Sequence, residues 1–170
     1  MARERLTQAT RRPSGVIRRA CSMMARRLAR PIADSFLTYE LYKKGTLNPH
    51  VRELAILVAC RETNYNLEWN AHERSAVREG VDQKVIDVVR RNGALTGIGE
   101  QDATVIRFGR QMFTEKKVDL ATFAKAVELF GQRGTMDLVA VMNTYAVSGF
   151  YAIAVDEHPP AGRLALERSK

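Results

Sequence analysis

The stretch NPHVRELAILVACRETNYNLEWNAHERSAVREG, residues 48–80, predicts two consecutive α-helices joined by a short polar turn. Asn48 is a suitable N-cap, and Pro49 is favoured at the first helical position because its missing N–H is not needed there. Apolar residues then recur at three- and four-residue spacing, which is the pattern of a buried helical face. After the polar break, Gly80 is placed to end the second helix in the left-handed conformation. We therefore expect a helical hairpin.

Residues that typically begin or end helices occur on both sides of this hairpin, whereas the alternation of apolar and polar residues that is typical of strands is scarce. Three glycines interrupt residues 92–102, so we expect a loop there. Further helices are predicted at 32–44, 82–91, 100–115, 119–130 and 135–155. The last of these is long and apolar, but recurring polar residues indicate burial against other helices and not a membrane span. The pattern predicts an all-α fold of six to eight helices.

The positive charge of the chain is concentrated at its N-terminus. The sequence has 27 basic and 19 acidic residues; nine arginines and one glutamate fall in residues 1–30, which leaves 18 of each sign elsewhere. We therefore do not expect a nucleic acid to be the partner of the helical body. Residues 1–30 are expected to form an arginine-rich arm or first helix. Three interpretations of it stand: a solvated face, a contact with an anionic partner, or a cleaved targeting segment.

Length and cysteine content limit the class of protein. With 170 residues, of which 45% are hydrophobic, the chain can bury one core. We expect one domain, residues 31–160, followed by a short tail at 161–170. The two cysteines, Cys21 and Cys60, lie far apart and form neither a CxxC pair nor a metal-ligand cluster, which fits a reducing cytoplasm.

The second helix of the hairpin carries a polar stripe. Tyr65, Glu68 and His72 are spaced by three and four residues, so their side chains project from one face. The simplest interpretation is an exposed face with a Glu–His pair that adds roughly a few tenths of a kcal/mol. Glu53, however, lies among apolar residues of the first helix, and a buried carboxylate needs a partner. We therefore predict that Glu53 and His72 meet across the hairpin and form, with Glu68, a proton-handling cluster or alternatively a metal site.

The sequence around these residues resembles the carboxymuconolactone decarboxylase family, which includes the AhpD-like alkylhydroperoxidases. The resemblance rests first on RELAILVACRETNYNLEWNAHERSAVREGVDQKVIDVV at 52–89, in which an Arg-Glu-Leu opening is followed by Glu-Trp and His. The segments 99–113, 118–155 and 156–160 are similar to the later helices and exit of the family. The resemblance implies an AhpD-like helical domain that assembles as a homotrimer or homohexamer.

Peroxidase members of that family use a glutamate, a CxxC pair and a histidine as a relay. The resemblance places the glutamate at Glu53 and the histidine at His72, whereas the two cysteine positions fall on Tyr65 and Glu68. Disulfide exchange needs an attacking thiolate and a resolving thiol, so peroxidase chemistry does not carry over. The sequence is instead similar to the cysteine-free branch closer to the decarboxylases.

This resemblance implies a lyase or isomerase without a cofactor or metal, acting on a small carboxylated lactone or a related product of aromatic ring cleavage. We expect His72 to donate the proton, Glu53 to orient it and Glu68 to complete the relay. The residues expected to bind the anionic substrate are Tyr65, Arg52 and Trp69, with core packing as the alternative for Trp69. Two other functions stay open: a redox protein that uses Cys60 or Cys21, and a non-catalytic helical oligomer whose arginine arm binds anions.

Overall fold

A computed structural model of the protein describes residues 43–154 and Leu166. Several predictions concern residues outside this range: the arm 1–30 with Cys21, most of the helix at 32–44, and the tail 161–170 apart from Leu166. Lys43 and Lys44 are helical, and the helix ends before Gly45 as the sequence predicts.

The described residues form five α-helices and contain no strand. The helices are α1 (Pro49–Glu62), α2 (Asn66–Arg78), α3 (Gln83–Arg90), α4 (Glu100–Arg110) and α5 (Leu120–Ala154). A short π-helical turn, Gln111–Glu115, continues α4. The prediction of an all-α fold is confirmed. The predicted helices at 119–130 and 135–155 are joined in α5.

Helix α1 is the central element of the fold. Its N-terminus forms as predicted: the backbone N–H of Val51 donates to Oδ1 of Asn48 at 2.8 Å, and Pro49 is the first helical residue. Every side chain from Glu53 to Arg61 is buried. α1 packs against each of the other four helices, so its buried side chains are fixed by several neighbours.

Helix α2 ends, and helix α3 begins, at the residues that the sequence indicates. Gly80 follows α2 with a φ of 83°, the left-handed conformation that glycine adopts without strain. The Asp82 carboxylate accepts a hydrogen bond from the backbone N–H of Lys84 at 2.7 Å and caps α3. α2 enters the core mainly through Trp69 and Ala76, which leaves its other faces partly accessible.

Two glycines determine the paths of α4 and α5. A Cβ at Gly109 of α4 would lie 2.3 Å from Cγ1 of Val58, so glycine is required for this close approach to α1. Gly131 interrupts α5 with φ 70° and ψ 172°, a conformation that is nearly restricted to glycine. α5 is therefore kinked at this residue.

The second half of α5 has one buried and one exposed apolar face. Leu138 and Met142 are completely buried in the core. The exposed apolar side chains are those of Met136, Val147, Phe150, Tyr151 and Ile153. Across the described residues, no helix is both long enough and apolar enough to cross a membrane.

The buried carboxylate of Asp137, on α5, binds the segment that precedes α1. Asp137 accepts hydrogen bonds from the backbone N–H of Thr46 at 2.8 Å, from the Thr46 hydroxyl at 3.0 Å and from Nε of Arg133 at 2.9 Å. Burial raises the pKa of Asp137, but these hydrogen bonds lower it more, so the pKa lies below its ordinary value of 3.8. The carboxylate is therefore ionised at neutral pH.

Candidate active site

Glu53 of α1 and His72 of α2 meet where the two helices pack. Oε2 of Glu53 lies 2.7 Å from Nδ1 of His72. The turn between the helices reverses the chain: Asn64 is left-handed with φ 51°, and the Tyr65 N–H donates to the carbonyl oxygen of Cys60 at 2.8 Å. α2 therefore runs back along α1, and the predicted contact between Glu53 and His72 is present.

Glu68 adds a second carboxylate from one turn earlier on α2. Its Oε2 lies 3.3 Å from Nε2 of His72. Each ring nitrogen therefore faces a carboxylate, and a doubly protonated ring can donate to both. The exposed fraction of the side chain rises from 6% for Glu53 to 15% for His72 and 29% for Glu68. The cluster thus runs from the core towards the surface.

The two carboxylates hold His72 in its charged form. Burial lowers the pKa of His72, but the hydrogen bonds and negative charges of Glu53 and Glu68 raise it more, from 6.5 to about 9. At neutral pH the ring is therefore an imidazolium. Such a group is a proton donor that is already charged before a substrate arrives.

A residue of α5 forms a third side of the cluster. The ring of Tyr145 packs against the ring of His72 in an edge-to-face arrangement, with centroids 4.9 Å apart and planes at 84°. This is a favourable geometry for aromatic pairs. Sequence reasoning missed Tyr145, because the polar residues of MNTYAVSG, 142–149, indicated only a helix buried by other helices.

Two of the residues predicted to bind substrate lie close to the cluster in sequence. Tyr65 is buried and immediately precedes α2, where α5 passes at Gly149. Arg52 is half-buried and precedes Glu53 on α1. Consecutive helical residues point about 100° apart, so Arg52 projects to one side of the Glu53–His72 contact. Their role in binding stays a prediction.

Trp69, the third of those residues, is a core side chain. It is 1% exposed, and its Nε1 donates to Oε2 of Glu73 at 3.0 Å. The guanidinium of Arg90 lies over its ring, 5.6 Å from the centroid, and also pairs with Glu73. The burial of the Trp69 ring and these contacts with its neighbours fit core packing, the alternative interpretation of this residue.

Cys60 is the cysteine that lies nearest to the cluster along α1, and it is buried. Burial raises the pKa of its thiol well above the ordinary value of 9.0, and the charges of Glu68 and Glu53 raise it further. The thiol therefore stays protonated at neutral pH. Because the attacking species in disulfide exchange is the thiolate, this environment opposes thiol chemistry.

The geometry of the cluster does not suit a metal ion. In residues 43–154 and Leu166, no three or more His, Cys, Asp or Glu side chains are grouped so that they could hold one. Both ring nitrogens of His72 point at carboxylates, so the ring bridges Glu53 and Glu68 by hydrogen bonds and does not stand beside them as a fellow ligand. The alternative of a metal site therefore has no support from this geometry.

A model of the carboxymuconolactone decarboxylase family matches residues 32–111. Over these 80 of its 170 residues the chain is similar to that family. The matched segment includes α1 to α4 and with them Glu53, Glu68 and His72, whereas Tyr145 follows it. No curated protein and no solved structure matches the chain significantly.

Proposed function

We propose that the protein is a cofactor-free lyase or isomerase acting on a small carboxylated lactone or a related product of aromatic ring cleavage. Its proton relay consists of Glu53, His72 and Glu68. One observation carries the proposal: an imidazolium held between two carboxylates, inside the segment that is similar to the carboxymuconolactone decarboxylase family. The reaction implied by that arrangement is delivery of a proton to carbon.

Decarboxylation of such a lactone creates the need for this proton. When the γ-carboxylate of a butenolide leaves as CO2, the electron pair of the broken C–C bond passes into the conjugated ring as a dienolate. Protonation at carbon then gives a lactone in which hydrogen replaces the carboxylate. His72, with a pKa of about 9, is charged at neutral pH and acidic enough to protonate a dienolate.

The two carboxylates have different roles in the proposed relay. Glu53 is the more buried, and its 2.7 Å contact at Nδ1 orients the ring and stabilises its charge. Glu68 lies on the accessible side, beside Nε2. The Nε2 proton is therefore the one that reaches the substrate, and Glu68 assists its transfer and its replacement from solvent.

An anionic substrate approaching two carboxylates also needs a cation. Arg52, next to Glu53 on α1, is the proposed anchor for the substrate carboxylate. Tyr65, at the start of α2, is the proposed apolar wall of the binding site, where exclusion of water favours loss of CO2.

The proposal is tested by incubating the protein with a γ-carboxylated butenolide in D2O. We expect one CO2 and one carbon-bound deuterium per turnover, measured by gas analysis and mass spectrometry. His72→Ala should lower kcat by roughly 10²–10⁴-fold, the usual loss when a general acid is removed. Glu53→Gln should have a smaller effect, because the amide can still orient the ring but cannot stabilise its charge.

His50→Ala and Glu62→Gln are the matched controls. His50 contacts Asp102 at 2.7 Å, and Glu62 accepts a hydrogen bond from Thr114 at 3.0 Å. His50→Ala removes a comparable histidine–carboxylate contact away from the cluster, and Glu62→Gln makes the same carboxylate-to-amide change there, so both variants should retain turnover. Full activity of His72→Ala, or equal losses in the controls, would contradict the proposed relay.

A thiol-based function is separated by Cys60→Ser and Cys21→Ser. Both variants should turn over the lactone at the wild-type rate, because the Cys60 thiol is buried and protonated. Loss of turnover in either folded variant would favour the redox alternative.

A further inference from the structure

The orientation of His72 depends on more than its two carboxylates. The contacts at Nδ1 and Nε2 hold the imidazole ring at two atoms only, so the ring can still pivot about the shorter, more buried contact at Nδ1. A packed neighbour is needed to remove that remaining freedom. Tyr145 is such a neighbour, with its ring perpendicular to the imidazole and 4.9 Å away between centroids.

We propose that Tyr145 is a positioning residue for His72, whose ring fixes the tilt of the imidazole so that both nitrogens stay aligned with their carboxylates. The inference rests on the proposed function in so far as His72 is the proton donor. It adds an element to the site, because α5 lies beyond the residues that the family model matches.

The backbone that carries Tyr145 is itself held close to α2. One turn further along α5, a Cβ at Gly149 would lie 2.5 Å from Oγ1 and 2.9 Å from Cβ of Thr63, and 3.3 Å from Cβ of Tyr65. α5 is therefore in direct contact with the turn that leads into α2. This contact fixes the position of Tyr145 relative to His72, as a positioning role requires.

The contact between His72 and Glu68 is the one that depends most on Tyr145. At 3.3 Å it is longer than the 2.7 Å contact with Glu53, and its carboxylate is more exposed. A ring that rocks about its short, buried contact loses the longer one first. Removal of the Tyr145 ring should therefore release Nε2 to solvent while Nδ1 stays bonded.

The test is NMR of the full-length protein with ¹⁵N-labelled histidine, which needs no substrate. At neutral pH the wild type should give two protected N–H signals from His72. Tyr145→Phe keeps the ring and should retain both. In Tyr145→Leu the Nε2 proton should exchange with solvent at least tenfold faster than in the wild type, so that its signal is lost. Tyr145→Met also lacks a ring and should give the same result; it serves as the test if the leucine variant does not fold.

Tyr151→Leu is the matched control, because Tyr151 is an exposed tyrosine on the same helix, and both signals should persist in it. Protection of Nε2–H in the leucine and methionine variants equal to that of the wild type would overturn the proposal. So would its loss in Tyr145→Phe, since the hydroxyl and not the ring would then be responsible. A wild-type protein that shows both signals but no decarboxylation would count against the proposed function alone.

Discussion

Glu53 lies among the apolar residues of α1, where a carboxylate without a partner would be strongly destabilised. His72 supplies a charged hydrogen bond, which is the strongest kind available to a side chain. This contact could be predicted from burial and helical spacing in residues 48–80, together with the resemblance that places the relay's glutamate at Glu53 and its histidine at His72. Tyr145 could not be predicted, because its approach to His72 depends on how α5 packs, and no local pattern encodes that packing.

We expect the stability of the protein to fall at alkaline pH through His72. The pKa of this group is raised from 6.5 to about 9 on folding, so its contribution is complete below a pH of about 6.5 and is lost as the pH rises through about 9. The contribution is on the order of 3 kcal/mol, since one pKa unit corresponds to about 1.4 kcal/mol. Urea unfolding of the wild type and of His72→Gln, measured across that range, should give a difference in unfolding free energy that narrows with rising pH. A difference that is constant with pH would contradict the raised pKa.

The ends of the helices were predictable because their signals are local. Asn48 and Asp82 cap α1 and α3 with their own side chains, and Gly80 ends α2 by its own conformation. The kink in α5 was not predictable in this way. The helices predicted at 119–130 and 135–155 leave Gly131 between them, whereas in the structure this glycine alone joins the two segments at a kink.

Gly149→Ala should destabilise the protein by about 1–3 kcal/mol, the usual cost of forcing an extra methyl group into a packed site. The added Cβ would lie 2.5 Å from Oγ1 of Thr63, so α5 must move away from the turn before α2. Gly93→Ala is the matched control, because its nearest neighbour, the Cα of Val88, lies at an ordinary 3.6 Å. Thermal or urea unfolding compares the two variants, and equal effects would show that the close contact at Gly149 is not constraining.

The Asp137 carboxylate on α5 binds Thr46, which precedes α1, and so holds distant parts of the chain together. Asp137→Asn should lower the unfolding free energy by about 1–3 kcal/mol, because a buried charged acceptor with three donors loses its charge. The pKa of Asp137 is lowered on folding, so its contribution is present above the ordinary value of 3.8 and is lost as the pH falls further. The difference between wild type and variant should therefore shrink in acid. Asp87→Asn, at a more exposed carboxylate on α3, is the control and should cost less at every pH.

Some predictions concern the whole chain and depend on more than its helical pattern. The all-α fold is confirmed over the described part of the chain. It could be predicted because periodic apolar residues specify which face of each helix is buried. The homotrimer or homohexamer stays a prediction, as does the role of the arginine-rich arm. Assembly depends on complementary surfaces, and no spacing of residues within one chain defines those surfaces.

The central position of α1 has a consequence for the dynamics of the protein. From Glu53 to Arg61 its residues are buried, and α1 packs against four other helices, so we expect no small local opening to expose the amides of this part to water. We infer that they exchange their hydrogens for deuterium only when the domain unfolds as a whole, whereas the amides of the loop at 91–99 exchange through local fluctuations. Glu53 therefore sits on the most slowly exchanging element and His72 on a more accessible one, so the cluster joins a rigid carboxylate to a proton carrier that can respond to its surroundings.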